Sequence, residues 1–380
     1  MDFQLTERQK EFINVVKEFA EKEVAPIAEE IDRNHRFPEE LVGRMAELGI
    51  MGVAFPKEYG GMGLDYISYA YMLEEICSVS PAVGTISAAH NSLCCWPIYH
   101  FGTEEQKMKY LPDLLKGKKI GAFGLTEPNA GSDAAGQQTR AYEDNGYYVL
   151  DGAKCFITNG GYADVFVVMA MTDKSKGNHG ISAFIVEKGD PGFSIGKTED
   201  KMGIHASSTT ELIFTNCRIP KDRLLGNEGE GFKVAMQTLD GGRIGVAAQA
   251  LGVASGAFKV TKEYIKTGTR YGMSLAKSQY IQFQMADMAT KIRAARLLIL
   301  EAAERKDKDL PMGLNSSMAK LFAAETAMEM ATKGMNIIGD TGCVSGSPIE
   351  RFFRDAKITE IYEGTSEIQK IVISSKVLKD

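Results

Sequence analysis

Apolar residues recur at helical spacing through roughly the first 120 positions of the chain. Phe12, Val15, Val16, Phe19 and Val24 mark one face of a helix, with charged residues filling the gaps. Helix starts are marked as well. Thr6 with Gln9 and Thr103 with Gln106 read as capping boxes, and Pro38 fits a first helical turn. Gly60-Gly61-Met62-Gly63 interrupts the pattern as a loop, without dinucleotide-fingerprint spacing or a Walker lysine.

From about Ile120 to about Leu225 the period shortens towards two. Tyr147-Tyr148-Val149-Leu150, Val165 to Met169, Ile181 to Val186 and Glu211 to Phe214 read as strands. Asp144-Asn145-Gly146 and Gly177-Asn178-His179-Gly180 supply turn chemistry between them. After Gly231 long Ala- and Met-rich helical stretches return and run to residue 335. Met285, Met288, Met318, Met328, Met330 and Met335 there read as core. The order predicts an α+β fold, mostly α, in three domains. These are an N-terminal helical domain over 1–120, a middle β-domain (barrel or sandwich) over 121–226, and a C-terminal four-helix bundle over 227–380. Alternating βα units are missing from the pattern, which argues against a Rossmann fold.

Composition narrows the classes. Hydrophobic content of 44% and 25% charged residues are ordinary for a globular chain. A net charge of -6 argues against nonspecific nucleic-acid binding. No apolar run reaches the ~18 residues of a membrane span. The start, with Asp2, Glu7 and Glu11, lacks a signal-peptide pattern and is too acidic for a transit peptide. Cys77, Cys94, Cys95, Cys155, Cys217 and Cys343 show no C-x-x-C spacing, and Cys94-Cys95 reads as buried filler. A reduced, cytoplasmic, prokaryotic protein is expected. His35, His90, His100, His179 and His205 show no metal-ligand spacing. Ser132 has no His–Asp partners in evidence, which argues against a hydrolase triad.

The candidate chemistry is concentrated in three segments. Arg354 to Glu367 sets Glu363 in a turn before a helix, with Ser366 and Gln369 as a capping box and Ile368, Ile371 and Val372 at helical spacing. Gly364 leaves room for close approach to the backbone. Such a junction can aim a carboxylate into a pocket, as a general base requires. Gly121 to Asp133 is a short strand ending in a turn of small residues, whose N–H groups and hydroxyls can bond a polar ring edge. Lys154-Cys155-Phe156-Ile157-Thr158-Asn159-Gly160-Gly161 is the third.

Together, in this order and at these separations, the segments resemble the acyl-CoA dehydrogenase family, and the resemblance runs over essentially the whole chain. It implies FAD as cofactor. Phe123, Leu125, Thr126, Gly131 and Ser132 correspond to the flavin-binding signature, and Ile157, Thr365 and Glu367 to further flavin contacts. Phe156 would cover one flavin face and Thr158 sit by the reactive ring nitrogen. Glu363, in Tyr-Glu-Gly-Thr, would remove the substrate's α-proton while the β-hydrogen leaves as hydride to the flavin. The family's alternative base position, in Asp240-Gly241-Gly242-Arg243, is glycine here, which leaves Glu363 alone. Ser132, Asp240, Arg243 and Gly364 match substrate-contacting positions.

Gln279 matches a retained cofactor position, whereas the adenosine half of the site departs from the family pattern. The usual arginine is Gly268, with Arg270 two positions along, and the usual Gln-Ile-x-Gly-Gly reads Asn336-Ile337-Ile338-Gly339-Asp340. Weaker FAD retention, dependent on oligomerisation, is therefore expected.

The resemblance further implies a homotetramer, an electron-transfer flavoprotein as partner, and a short-chain acyl-CoA or 2-enoyl-CoA as substrate. Trp96, in a stretch resembling the helix that closes the acyl pocket, reads as core packing ahead of a substrate gate, and any part of its ring that faces the pocket would shorten the cavity. Two alternatives stay open. One is an acyl-CoA oxidase that uses O₂; the other is a family member that has lost FAD and acts as a scaffold.

Overall fold

Among the described residues, seven α-helices build the first part of the chain: α1 (Glu7–Phe19), α2 (Ala28–Arg33), α3 (Glu39–Glu47), α4 (Tyr66–Cys77), α5 (Pro81–Ala88), α6 (Trp96–Phe101) and α7 (Glu104–Leu115). The structure, a computed structural model, describes residues 4–379; residues 1–3, Asp2 among them, and residue 380 lie outside the described part. Both capping boxes form. Thr6 Oγ1 accepts from the Gln9 N–H at 3.3 Å while Gln9 Oε1 accepts from the Thr6 N–H at 2.7 Å, and Thr103 with Gln106 repeats the arrangement. Pro38 stands immediately before α3 instead of inside its first turn. Val15 departs from the predicted face: it is 44% exposed, and Gln9 and Ile13 complete the buried stripe with Phe12, Val16 and Phe19.

Between α5 and α6 the helix runs on through a buried π-turn, Ala89–Cys95, of which the periodicity gives no sign. Asn91 Nδ2 donates to Ser87 O at 2.8 Å and Ser92 Oγ to Ala88 O at 2.7 Å, bonds that compete with the regular ladder.

The middle of the chain forms a mixed eight-stranded sheet: β1 (Gly121–Gly124), β2 (Arg140–Asp144), β3 (Tyr147–Thr158), β4 (Val165–Met171), β5 (Ile181–Glu187), β6 (Phe193–Thr198), β7 (Thr209–Pro220) and β8 (Leu224–Leu225). Its order is β6-β7-β3-β2-β4-β5-β8, with β1 parallel to β4. Val165, Val167 and Met169 pack with Leu93, Tyr110 and Val234 in one apolar cluster, whereas Phe166, Val168 and Ala170 pack with Tyr148, Phe184 and Phe214 in another. Cover on both faces explains why β4 reads as an unbroken apolar run instead of an alternation.

The last part holds α8 (Gly231–Thr267), α9 (Gln279–Asp307), α10 (Gly313–Ile338), α11 (Pro348–Ile358) and α12 (Ser366–Val377). By length and composition α8 could cross a membrane, but most of its apolar stretch is buried inside the fold. Glycines let its neighbours close in. A Cβ at Gly252 would stand 2.5 Å from Cys77 Cβ on α4, and one at Gly245 2.9 Å from Tyr69 Oη. Met288 and Met330 are buried, and Met285, Met328 and Met335 pack partly buried against the same core. The predicted helical run is broken after α8 by a hairpin, β9 (Thr269–Arg270) and β10 (Met273–Ser274). Its turn is Tyr271-Gly272, with φ of +50° and +74°, the backbone a two-residue hairpin needs.

Candidate active site

Where α11 ends, the chain enters a left-handed pair, Glu363 at φ +53° and Gly364 at φ +95°. A non-glycine residue there is strained, and such strain persists where surrounding contacts fix it. The contacts come from two sides. Lys320 Nζ on α10 donates to Gly364 O at 2.6 Å, and Gln369 Nε2 on α12 donates to the same oxygen at 2.8 Å. This corrects the expected capping box. The N-cap of α12 is Thr365, whose Oγ1 accepts from the Ile368 N–H at 3.3 Å. Gln369 reaches past Ser366 to the carbonyls that the left-handed pair presents to it. Tyr362, preceding Glu363, donates its hydroxyl to Gln249 Oε1, and Gln249 Nε2 donates to Thr85 Oγ1 at 2.8 Å.

The Glu363 residue is partly exposed as a whole, yet its Oε2 is buried and has no hydrogen-bond partner among the described residues. Gly242 makes the room for it: a Cβ there would lie 2.0 Å from Oε2 and 3.1 Å from Leu93 Cδ2. Glycine at the family's alternative base position is thus a steric requirement of the carboxylate that is present. Burial pushes the Glu363 carboxyl up to about 7, against the pull of Lys320 and Arg243. Arg243 Nη1 is held by Asp240 Oδ1 at 2.7 Å and Ser317 Oγ at 3.2 Å, while its Nε is buried and unpaired. A carboxylate with an open oxygen and a raised pKa suits proton abstraction near neutral pH.

A second group gathers where β1 meets β3. Lys154 is fully buried and donates to Glu127 Oε1 at 2.7 Å, Gln137 Oε1 at 3.0 Å and Leu125 O at 3.1 Å. It ties down the loop that follows β1. The β3–β7 register shifts between Lys154 and Ile157, and in that bulge Phe156 takes φ +58° and is 62% exposed. A bulge re-aims a side chain, and here it turns a large aromatic ring out of the sheet. Thr126 and Thr158 flank it half-buried, and Ile157 is buried behind. An outward ring beside polar Thr side chains fits a flat cofactor with a polar edge. Phe123 and Leu125 share an apolar cluster with Leu93, which ties this wall to the Glu363 pocket. Gly131 and Ser132 are exposed in the loop between β1 and β2.

The third group lies elsewhere. Arg270, Asn336 and Ile337 line a cavity of about 260 Å³ with Tyr271, Met273 and Tyr280, and Gln279 opens α9 between the lining residues Ser278 and Tyr280. Arg270 Nη2 donates to Ile337 O at 3.2 Å and would meet a Cβ at Gly339 at 3.3 Å. This end of α8 is some 27 residues from Gly241, roughly 40 Å along a helix. Gly268 cannot simply regain an arginine, because a Cβ there would stand 2.8 Å from Tyr264 O and 2.7 Å from Leu275 Cδ1. Thr365 and Glu367 stand at the start of α12, close to Glu363 in the chain. Trp96 stacks on His100 at 4.7 Å, carries Lys306 Nζ 4.1 Å from its ring centroid, and lines a further cavity of about 220 Å³.

Sequence reasoning missed Lys320, the Lys154–Glu127 pair and the Gln249 link to Tyr362. The available signal for Lys320 was a lone lysine among Ala319, Leu321, Phe322, Ala323 and Ala324 on an apolar helix.

Three family models cover the chain: the N-terminal domain of acyl-CoA dehydrogenase over residues 6–118, the middle domain over 122–217 and the C-terminal domain over 229–378. The chain is 54% identical to a short-chain specific acyl-CoA dehydrogenase of Clostridium acetobutylicum, covering 100% of both. Among solved structures it matches butyryl-CoA dehydrogenase from Megasphaera elsdenii at a TM-score of 0.98 and 49% identity, covering 100% of both chains. It also matches, at a TM-score of 0.99 and 54% identity over 100% of both, a chain from work on the electron transferring flavoprotein of Acidaminococcus fermentans and electron bifurcation. The chain therefore belongs to the acyl-CoA dehydrogenase family, a family of flavoproteins. It is an enzyme of that class, an oxidoreductase acting as an acyl-CoA dehydrogenase.

Proposed function

We propose that this enzyme interconverts a short-chain acyl-CoA and its trans-2-enoyl-CoA, with Glu363 Oε2 taking the α-proton. The observation that carries this reading is the buried, unpartnered Oε2 facing Gly242. Removing a thioester α-proton requires that charge on the thioester oxygen be stabilised. The Glu363 and Gly364 N–H groups make no hydrogen bond among the described residues, so they are free to donate to that oxygen. Gly364 admits the thioester, and Asp240, Arg243 and Ser132 meet the remainder of the CoA ester.

FAD, when bound, supplies the acceptor for the β-hydrogen as hydride. Phe156, Ile157 and Thr158 on β3, with Phe123, Leu125, Thr126, Gly131 and Ser132 after β1, would hold its ring. Thr365 and Glu367 would meet it from α12. Arg270, Gln279, Asn336 and Gly339 would hold an adenosine half. Their distance from Glu363 along α8 supports service to the FAD of a neighbouring subunit in a homotetramer. The exposed Tyr271, Met273, Tyr280 and Phe283 at this end support such an assembly. The three-domain division at 1–120, 121–226 and 227–380, a cytoplasmic location and electron exchange with an electron-transfer flavoprotein complete the reading. The same residues serve oxidation or reduction, the direction being set by the partner's potential.

The short-chain reading draws on the helical stretch that carries Trp96, whose ring lines the further cavity with Tyr66, His100 and Lys306. Trp96 stands one helical turn beyond Leu93, which touches the Gly242 position beside the base. Each buried methylene contributes about 0.8 kcal/mol until the chain meets a wall, where overpacking costs ~1–3 kcal/mol. In a series from propionyl- to octanoyl-CoA with an artificial acceptor, kcat/KM should peak at about three to five carbons and fall at least ~10-fold for octanoyl-CoA. A series rising steadily to octanoyl-CoA would overturn the short-chain assignment.

A further inference from the structure

Lys320 is a lysine with no exposed surface, a rarity unless its charge is answered. Among the described residues no carboxylate lies within ion-pair distance of it, and its one hydrogen bond is the 2.6 Å contact to Gly364 O. An ammonium sealed in a helical bundle costs several kcal/mol unless it is compensated. Burial pushes Lys320 down to about 8, and the largest opposing influence is the charge of Glu363. The lysine therefore answers to the base.

We propose that Lys320 is the positioning residue of the base: its ammonium locks the Gly364 carbonyl, and with it the left-handed Glu363–Gly364 turn, while placing a fixed positive charge behind the carboxylate. A direct salt bridge would satisfy Oε2 and blunt it. Attachment one peptide away leaves Oε2 open to substrate and still opposes the cost of its ionisation. The other groups facing the pair are Arg243 with its partner Asp240 from α8, Tyr69 from α4, the adjacent Tyr362, and Glu360 and Glu367 on either side of the turn. Of these, Lys320 and Arg243 are the cations, and Arg243 is already engaged by Asp240.

This inference rests on Glu363 being the base, and the experiment separates the two. Deuterium uptake from D₂O at the α-carbon of butyryl-CoA is followed against pH with the FAD-loaded holoenzyme, anaerobically and without an acceptor. In Lys320→Met the acidic limb should move up by about one pH unit, with a plateau ~10-fold lower. Lys320→Arg should keep the limb in place. Gln369→Leu, which removes the other donor to Gly364 O but no charge, should lower the plateau and leave the limb unmoved. A merely structural stitch would lower plateaus in both without moving either limb. An unmoved limb in Lys320→Met, or in Lys320→Gln should the Met variant not fold, overturns the proposal. Undiminished exchange in Glu363→Gln would instead overturn the base assignment itself.

Discussion

Glu363 combines two features that oppose each other at the level of a single residue. Burial of its open oxygen raises the carboxyl to about 7, while the base must be charged to act. Protonation therefore removes the active form, so turnover should rise as pH increases through about 7. Below that value it should fall ~10-fold per pH unit. A pH profile of kcat/KM for a short-chain acyl-CoA, which reports the free enzyme, checks this, and an acidic limb near 4 to 5, the ordinary carboxylate range, would contradict the buried-base geometry. Glu363 stood out in the sequence as the candidate base because the Tyr-Glu-Gly-Thr string is specific. Its environment did not, because Gly242 and Lys320 are distant in the chain and meet it only through packing.

At the scale of elements, period and capping chemistry located most helices and strands. What they missed are local departures that sequence periodicity does not encode: the bulge that exposes Phe156, the π-turn Ala89–Cys95 and the hairpin after α8. The bulge and the π-turn displace residues within an otherwise regular ladder, and the hairpin is a tight turn between two long helices, with Tyr271 and Met273 exposed. The start of α12 shows the same limit at one-residue resolution, where Ser366 satisfied the capping pattern but the left-handed Gly364 shifts the cap to Thr365. Thr365→Ala should therefore destabilise the protein by about 1 kcal/mol, as lost caps do. Ser366→Ala should stay within about 0.5 kcal/mol, because its buried Oγ bonds nothing. Thermal or denaturant unfolding of the two variants decides between them, and the reverse ranking would restore the cap to Ser366.

Across the whole molecule the helical, β, helical order was readable from the change of period, and with it the fold. The spatial partition of the proposed cofactor-binding residues was not, since it depends on the roughly 40 Å that α8 puts between Gly241 and Gly268. Arg270, close to where the family's arginine stands, reaches the Ile337–Gly339 segment and lines that cavity together with a second cation, Lys333. Arg270→Ala should speed FAD loss on dialysis several-fold, read by flavin absorbance per protein, and the loss should track dissociation of the assembly on dilution. Unchanged retention would show that this end of the bundle does not serve the cofactor. The central claim, that Glu363 removes the α-proton within a flavin-containing site, is tested most directly by mixing Glu363→Gln with butyryl-CoA anaerobically and following the flavin absorbance. The account predicts a coloured variant that keeps its FAD yet bleaches at least ~100-fold more slowly than wild type. Bleaching at a rate near wild type would contradict it.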